Sequence, residues 1–225
     1  MTQWLEGLAA RRADMGRSST AGRVADALRE DVIEGRLLPG VRLSEEDIGA
    51  ALGISRNTLR EAFRLLTHER LLVHEFNRGV FVRRLTTEDV RDLYRVRRAL
   101  EAAALRAAPG APPERLEAVR RAVEDGERAA VAGDWTLVGS ANMHFHQALA
   151  GLLDSPRLDE TMRQLLAELR LVFHVMADPR AFHEPYLQGN REILRLLEEG
   201  DTAAAERALA HYFDVAEKQL LDAMG

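Results

Sequence analysis

The chain predicts a mainly α protein: an N-terminal winged helix-turn-helix followed by an antiparallel all-α bundle of about six helices. Three observations carry this. Three helical patterns and then a hairpin signal follow one another between Ala21 and Leu85. From Thr87 onward only helical periodicity remains, interrupted at Gly133-Asp134, Asp154-Ser155-Pro156, Asp178-Pro179 and Gly200-Asp201. The composition, 225 residues with 46% hydrophobic and 30% charged, is that of a globular chain long enough for two cores.

Residues 1–20 hold Arg11, Arg12, Gly16, Arg17, Ser18 and Ser19 with only a short apolar stretch around Trp4–Ala10, and read as a mobile arm. A first helix follows, with Val24, Leu28 and Val32 at i, i+4, i+8, and stops in Gly35-Arg36-Leu37-Leu38-Pro39-Gly40. Ser44 caps a short second helix whose first turn is acidic and which ends at Gly53. Ser55 caps a third, with Leu59, Ala62, Phe63 and Leu66 buried and Arg56, Asn57, Arg60 and Arg64 on the other side. Leu71–Val73 and Val80–Val82 read as two strands around an Asn77-Arg78-Gly79 turn. The domain limits are 1–20 for the arm, 21–85 for the winged helix and 86–225 for the bundle. Bundle helices are expected over 88–108, 114–132, 135–153, 156–177, 181–199 and 202–222.

Function classes can be excluded on composition. With no cysteine, disulfide frameworks, thiolate-held zinc and thiol nucleophiles are ruled out. No apolar run approaches the ~20 residues that span a bilayer, and no secretory signal is visible. A cytoplasmic protein with no membrane partner is expected. The net charge of −5 is unevenly spread: residues 1–85 carry 14 Arg against 12 acidic residues, whereas residues 86–225 carry 24 acidic residues against 17 basic. Lys218 is the only lysine, so nearly every cation is a guanidinium able to grip phosphate or carboxylate at two points.

The N-terminus of the third helix presents Ser55, Arg56, Asn57, Thr58 and Arg60. A recognition helix meets the major groove with such residues: Arg bonds guanine at two points, Asn does the same for adenine, and Ser or Thr suits base or phosphate. Arg78 at the hairpin tip suits phosphate or an adjacent minor groove. A solvent face that merely happens to be arginine-rich is the plain alternative, and the helix-helix-helix-hairpin order outweighs it.

Three segments in order then resemble the winged helix of the GntR family. They are Gly35-Arg36-Leu37-Leu38-Pro39-Gly40-Val41-Arg42-Leu43-Ser44-Glu45, Leu52-Gly53-Ile54-Ser55-Arg56-Asn57-Thr58-Leu59-Arg60-Glu61-Ala62 and Arg78-Gly79-Val80-Phe81-Val82. The resemblance implies that Arg42, Arg56, Thr58, Arg60 and the wing Gly79 lie at DNA-contacting positions. Arg70 departs from it, standing where the family usually has glycine, so the turn after the recognition helix is either strained or different.

The second domain resembles the FCD ligand-binding domain of the FadR-like branch through Val96-Arg97-Arg98-Ala99-Leu100-Glu101, Asn142-Met143-His144-Phe145-His146 and Asn190-Arg191-Glu192-Ile193-Leu194. Six helices favour its smaller VanR-like group. The resemblance implies a divalent metal (zinc, nickel or manganese) held by one Asp and three His. This chain puts Asn142, His146, Asn190 and Tyr212 at those positions, with His211 one residue early. Ala205, Leu209, Tyr212, Ala216 and Leu220 form one inward stripe, and His211 points away from it. Amides are poor ligands for such ions, so no metal is expected; if one binds, His146 with His211 would hold it.

Arg97, Asn142, His146, Asn190 and Tyr212 would still line a polar effector pocket. Arg97 lies on the Leu93, Val96, Leu100 stripe, where a lone guanidinium is costly. It either pairs with a carboxylate such as Glu101 or receives an anionic ligand, and the family's small carboxylate effectors favour the ligand. Arg170 and His174 are weaker candidates. The expected function is a homodimeric transcription regulator, a repressor, that binds double-stranded operator DNA under control of a small carboxylate-bearing effector. The alternative is an effector-insensitive DNA-binding regulator with a degenerate pocket. No nucleophile–base pair or phosphate loop is visible, so no enzyme is expected.

Overall fold

The computed structural model describes residues 19–225, and the arm read at residues 1–20 lies almost wholly outside the described residues. The chain divides into two compact units, the division falling between Arg84 and Leu85.

In the first unit, helix α1 (Thr20–Ile33) is capped by the Ser19 hydroxyl, which accepts from the Gly22 N–H at 3.1 Å. Its stripe Val24, Leu28, Val32 is buried, as the i, i+4, i+8 spacing requires. Helix α2 (Glu45–Leu52) starts at the Ser44 cap and ends at Gly53, whose φ of 63° closes the turn into helix α3 (Arg56–His68). Arg29 of α1 is 3% exposed and grips Glu69, just past α3, through two N–H···O bonds of 2.8 and 2.7 Å. This clamp fixes the recognition helix against α1.

The wing has strands β2 (Leu72–Glu75) and β3 (Gly79–Val82), paired antiparallel with Glu75 opposite Gly79. The turn therefore lies at residues 76–78, one residue earlier than the sequence suggests. A third strand, β1 (Arg42–Leu43), pairs with β3 and gives the order β1-β3-β2. Two residues are too few for alternation to be read, so β1 was not foreseen. Arg70 has φ 59°, and the N–H groups of Leu71 and Arg70 reach the carbonyls of Leu66 and Thr67. That is a glycine-type helix ending made with an arginine. Of the two readings left open, strain is correct, at a cost of roughly 1 kcal/mol.

Six α-helices build the second unit: α4 (Thr87–Ala107), α5 (Pro113–Val131), α6 (Trp135–Gly151), α7 (Pro156–Arg170), α8 (Pro179–Glu198) and α9 (Thr202–Met224). Their starts are written locally. Thr86 and Asp89 form a reciprocal capping box for α4, Pro occupies the first turn of α5, α7 and α8, and Asp134, Asp178 and Asp201 cap α6, α8 and α9. The expected single helix over 156–177 instead tightens to a 3-10 stretch at Leu171–Val175. Leu171, Val172 and Phe173 are all buried and continue the buried run Leu166–Arg170 at the end of α7.

Helix α6 has no charged residue and packs against α4, α5, α7 and α8, so it is the central element of the bundle. A helix packed against several neighbours is apolar over most of its surface. Asn142 and His146 lie on its buried faces, whereas Thr136 and His144 are exposed.

Candidate functional site

Two sets of side chains carry the chemistry. The first is on the winged unit. Ser55 caps α3, accepting from the Thr58 N–H at 3.2 Å, and the two hydroxyls lie 2.8 Å apart. That leaves Arg56 and Asn57 exposed in the first turn, where a recognition helix faces base edges. Arg60 is 64% exposed, and its Nε donates to both Glu45 oxygens at 3.0 Å. Arg78 is ion-paired with Glu75 across the wing turn and lies 5.4 Å from the Phe81 ring centre. Arg42 packs along Gly79; a Cβ there would sit 3.3 Å from Arg42 Nε, and φ of 110° independently requires glycine. Arg60 and Arg78 each already hold an internal carboxylate, whereas Arg56 has no ion-pair partner among the described residues. Sequence reasoning missed Glu45 and Glu75 in this role, although their spacing to Arg60 and Arg78 gives little sign of it.

The second set is inside the helical bundle. Arg97 (α4), Asn142 and His146 (α6), Asn190 (α8) and Tyr212 (α9) are all buried and converge. Tyr212 donates to Asn142 Oδ1 at 2.8 Å, and Asn190 Nδ2 donates to the same oxygen at 2.8 Å. The Tyr212 hydroxyl also lies 3.1 Å from His146 Nε2. The phenol has one proton to share between Asn142 Oδ1 and His146 Nε2. Gly189 permits this approach: a Cβ there would lie 3.0 Å from the Tyr212 ring.

Glu101, also on α4 and fully buried, joins the cluster. Its Oε1 accepts from Arg97 Nε at 2.9 Å and its Oε2 meets His146 Nδ1 at 2.6 Å. Of the two partners open to Arg97, the internal carboxylate holds Nε. Glu101 lies one turn along α4, which is what an i, i+4 pair allows. Arg97 Nη2 is nonetheless buried without a hydrogen-bond partner, as is Asn190 Oδ1. The guanidinium carbon lies 4.6 Å from the Phe213 ring centre and 5.2 Å from that of Tyr94. Burial raises the Glu101 carboxyl, but His146 and Arg97 outweigh it and hold the carboxylate ionised. Burial keeps His146 neutral against the pull of Glu101, and keeps the Tyr212 phenol protonated.

These donors do not fit a divalent cation. Both His146 nitrogens have neighbours within hydrogen-bonding range, Asn142 Oδ1 accepts twice, and the Tyr212 hydroxyl stands between His146 and Asn142. His211 is exposed, so the conditional pairing of His146 with His211 is corrected: α9 turns Tyr212 inward and His211 outward. Of the weaker candidates, His174 is exposed. Arg170 is buried and stacks 5.5 Å from Phe173.

Near Arg170 lies a buried histidine that sequence reading passed over. His183 is 3% exposed, contacts the rings of Phe173 and Phe182, and has an unpartnered Nδ1. Burial, reinforced by the charge of Arg170, lowers its pKa to about 3. The depressed value means that stability is complete above the unfolded pKa and falls as pH drops through about 6.5 toward 3. About 2 kcal/mol should be lost between pH 7 and pH 5 from this residue. Urea unfolding at the two pH values should show that difference shrinking by this amount in His183→Gln; an unchanged difference would clear His183.

The arrangement defines a winged-helix DNA-binding protein with an all-helical companion domain, and comparison with known proteins agrees. Residues 20–82 match the bacterial regulatory proteins of the gntR family, and residues 92–215 match the FCD domain. The chain is 31% identical to the probable D-xylose utilization operon transcriptional repressor of Paenarthrobacter nicotinovorans, over 87% of this chain and 86% of that one. A solved structure of a GntR transcriptional regulator from Rhodococcus sp. RHA1 is 47% identical with a TM-score of 0.84, covering 91% of this chain and 99% of that chain. E. coli McbR/YncC shares the fold, with a TM-score of 0.80 at 22% identity over 93% of this chain and 100% of that one. The chain belongs to the GntR family of transcription regulators, in the branch that carries an FCD domain. These relatives are regulators and not enzymes. Among the described residues, no helix is long and apolar enough to cross a membrane.

Proposed function

We propose that this regulator is a cytoplasmic, homodimeric repressor whose operator affinity is set by a small carboxylate-bearing metabolite bound beside Arg97, without a metal. The observation that carries this is the buried guanidinium with one nitrogen unpartnered, in the same hydrogen-bonded cluster as an unpartnered Asn190 oxygen. A ligand carboxylate would accept from Arg97 Nη2, while the ligand's own N–H or O–H would donate to Asn190. The named repressor among its relatives supports repression. Two recognition helices on a two-fold axis would read a pseudo-palindrome. The effector can change DNA affinity only as far as it binds one arrangement of the dimer better than another.

A second reading, an effector-insensitive regulator, is favoured by one feature: Glu101 already satisfies Arg97 Nε and Tyr212 fills the centre of the cluster. A thermal-shift panel of small carboxylates and their neutral amides separates the two readings. Hits confined to the acids, lost in Arg97→Met and accompanied by altered binding to a duplex selected from a random library, establish the first. No hit across the panel establishes the second. Stoichiometric metal in protein purified without a histidine tag would sink the metal-free part of either.

A further inference from the structure

The wing ends in a side chain that the fold does not need. Phe76 sits at the tip of the β2–β3 turn and is 85% exposed. The turn is closed by the Arg78 N–H to the Glu75 carbonyl at 3.0 Å, with Asn77 left-handed at φ 57°. Glycine, Asn, Asp, Ser or Pro would serve such a turn equally well, and a phenylalanine there forgoes the whole gain of burial. The hairpin's other apolar residues are more covered, the most open of them being Val73 at 37%. Val80 and Val82 are buried, and Phe81 is covered by the Arg78 guanidinium.

The surroundings indicate what covers the ring. Glu75, Asn77 and Arg78 flank it, so there is no contiguous apolar patch of the kind a protein partner needs. Arg78 is two residues on in the same turn, the Arg42 side chain runs along Gly79 at the turn end of the wing, and the recognition helix belongs to the same unit. An isolated apolar wedge between an amide and guanidinium groups matches what inserts into a DNA minor groove, where such side chains part a base step and bend the duplex.

The geometry points to Phe76 as a minor-groove wedge that stacks on or between base steps outside the major-groove element read by α3. The inference rests on the DNA-binding reading of the wing. It implies a specificity that no hydrogen bond supplies: a preference for pyrimidine–purine steps, the ones most easily unstacked, at the wing position.

The test uses the full chain and a duplex selected by the wild-type protein from a random-sequence library. Affinity is read by fluorescence anisotropy across a salt series, and bending by energy transfer between end labels. Phe76→Ser should weaken binding by about tenfold or more, with the salt slope unchanged because no phosphate contact is lost. It should also reduce the bend and flatten the step preference in a repeated selection, while Phe76→Trp retains all three. Because the side chain is exposed, the melting temperature should stay the same, which separates the result from misfolding. Wild-type affinity, bend and preference in Phe76→Ser overturn the wedge alone. Failure of the wild-type protein to select any duplex overturns the DNA reading and the wedge with it.

Discussion

Glu101→Ala should destabilise the folded protein by about 3–5 kcal/mol, the cost of removing one member of a buried ion pair and stranding the other. Arg97 and Glu101 are 1% and 0% exposed and joined at 2.9 Å, so water cannot take over the role of the lost carboxylate. Replacing both by Met should be much milder, because a hydrophobic pair fills the space without a stranded charge. A residue of about 1–3 kcal/mol should persist in the double variant, since His146 Nδ1 loses its only acceptor. Urea unfolding of the wild type, Glu101→Ala and the double variant measures this; a double variant as unstable as Glu101→Ala would refute the ion-pair account. The same variant probes ligand chemistry. Acetate or formate should saturably restore stability to Glu101→Ala by replacing the carboxylate on Arg97, and should do nothing for Arg97→Met/Glu101→Met. Absence of rescue would mean that the guanidinium cannot receive a free carboxylate, which removes the support for a carboxylate effector.

Much of this cluster could be read from the sequence because its determinants are local. Helix α6 carries no charge and is mostly apolar, which marks it as largely buried and makes Asn142 and His146 candidates for the interior; the inward stripe of α9 placed Tyr212 and turned His211 away. What could not be read were the partners. Glu101 reaches His146 from a different helix, and nothing in the spacing within either helix encodes that approach. His183 escaped notice for a similar reason: Pro185 and the flanking aromatic residues look like the start of an ordinary helix. Only the packed structure shows its ring against Phe173 and Phe182. In the winged unit the helices and the hairpin were legible from caps, stripes and turn residues. The two-residue β1 was not, since its existence depends entirely on pairing with β3. Arg70 was flagged as an anomaly by residue type alone, but only the backbone shows that the strained conformation is the one adopted.

Arg56→Ala should have the largest effect on DNA binding of any single substitution in the recognition helix. Arg56 occupies the first position of α3, is exposed and has no carboxylate partner to abandon, so its guanidinium is available at once to guanine O6 and N7. Arg60, by contrast, already holds Glu45, which offsets part of what its DNA contact contributes. One bidentate base contact is worth about 1–3 kcal/mol. In a two-fold complex each substitution acts twice, so the loss on a full operator is about 2–6 kcal/mol, or roughly 30-fold to 10⁴-fold. The comparison that decides this uses the selected duplex and a version with one half-site scrambled. The free-energy loss from Arg56→Ala should be about twice as large on the intact duplex, and it should relax preference at one base position without changing the salt slope by much. Arg42→Ala should do the reverse if it holds phosphate, lowering the salt slope by about one per half-site while leaving the preferred sequence intact. Equal losses from Arg56→Ala on the two duplexes would argue against a two-fold complex. A drop in salt slope with unchanged preference would instead reassign Arg56 from base reading to the backbone.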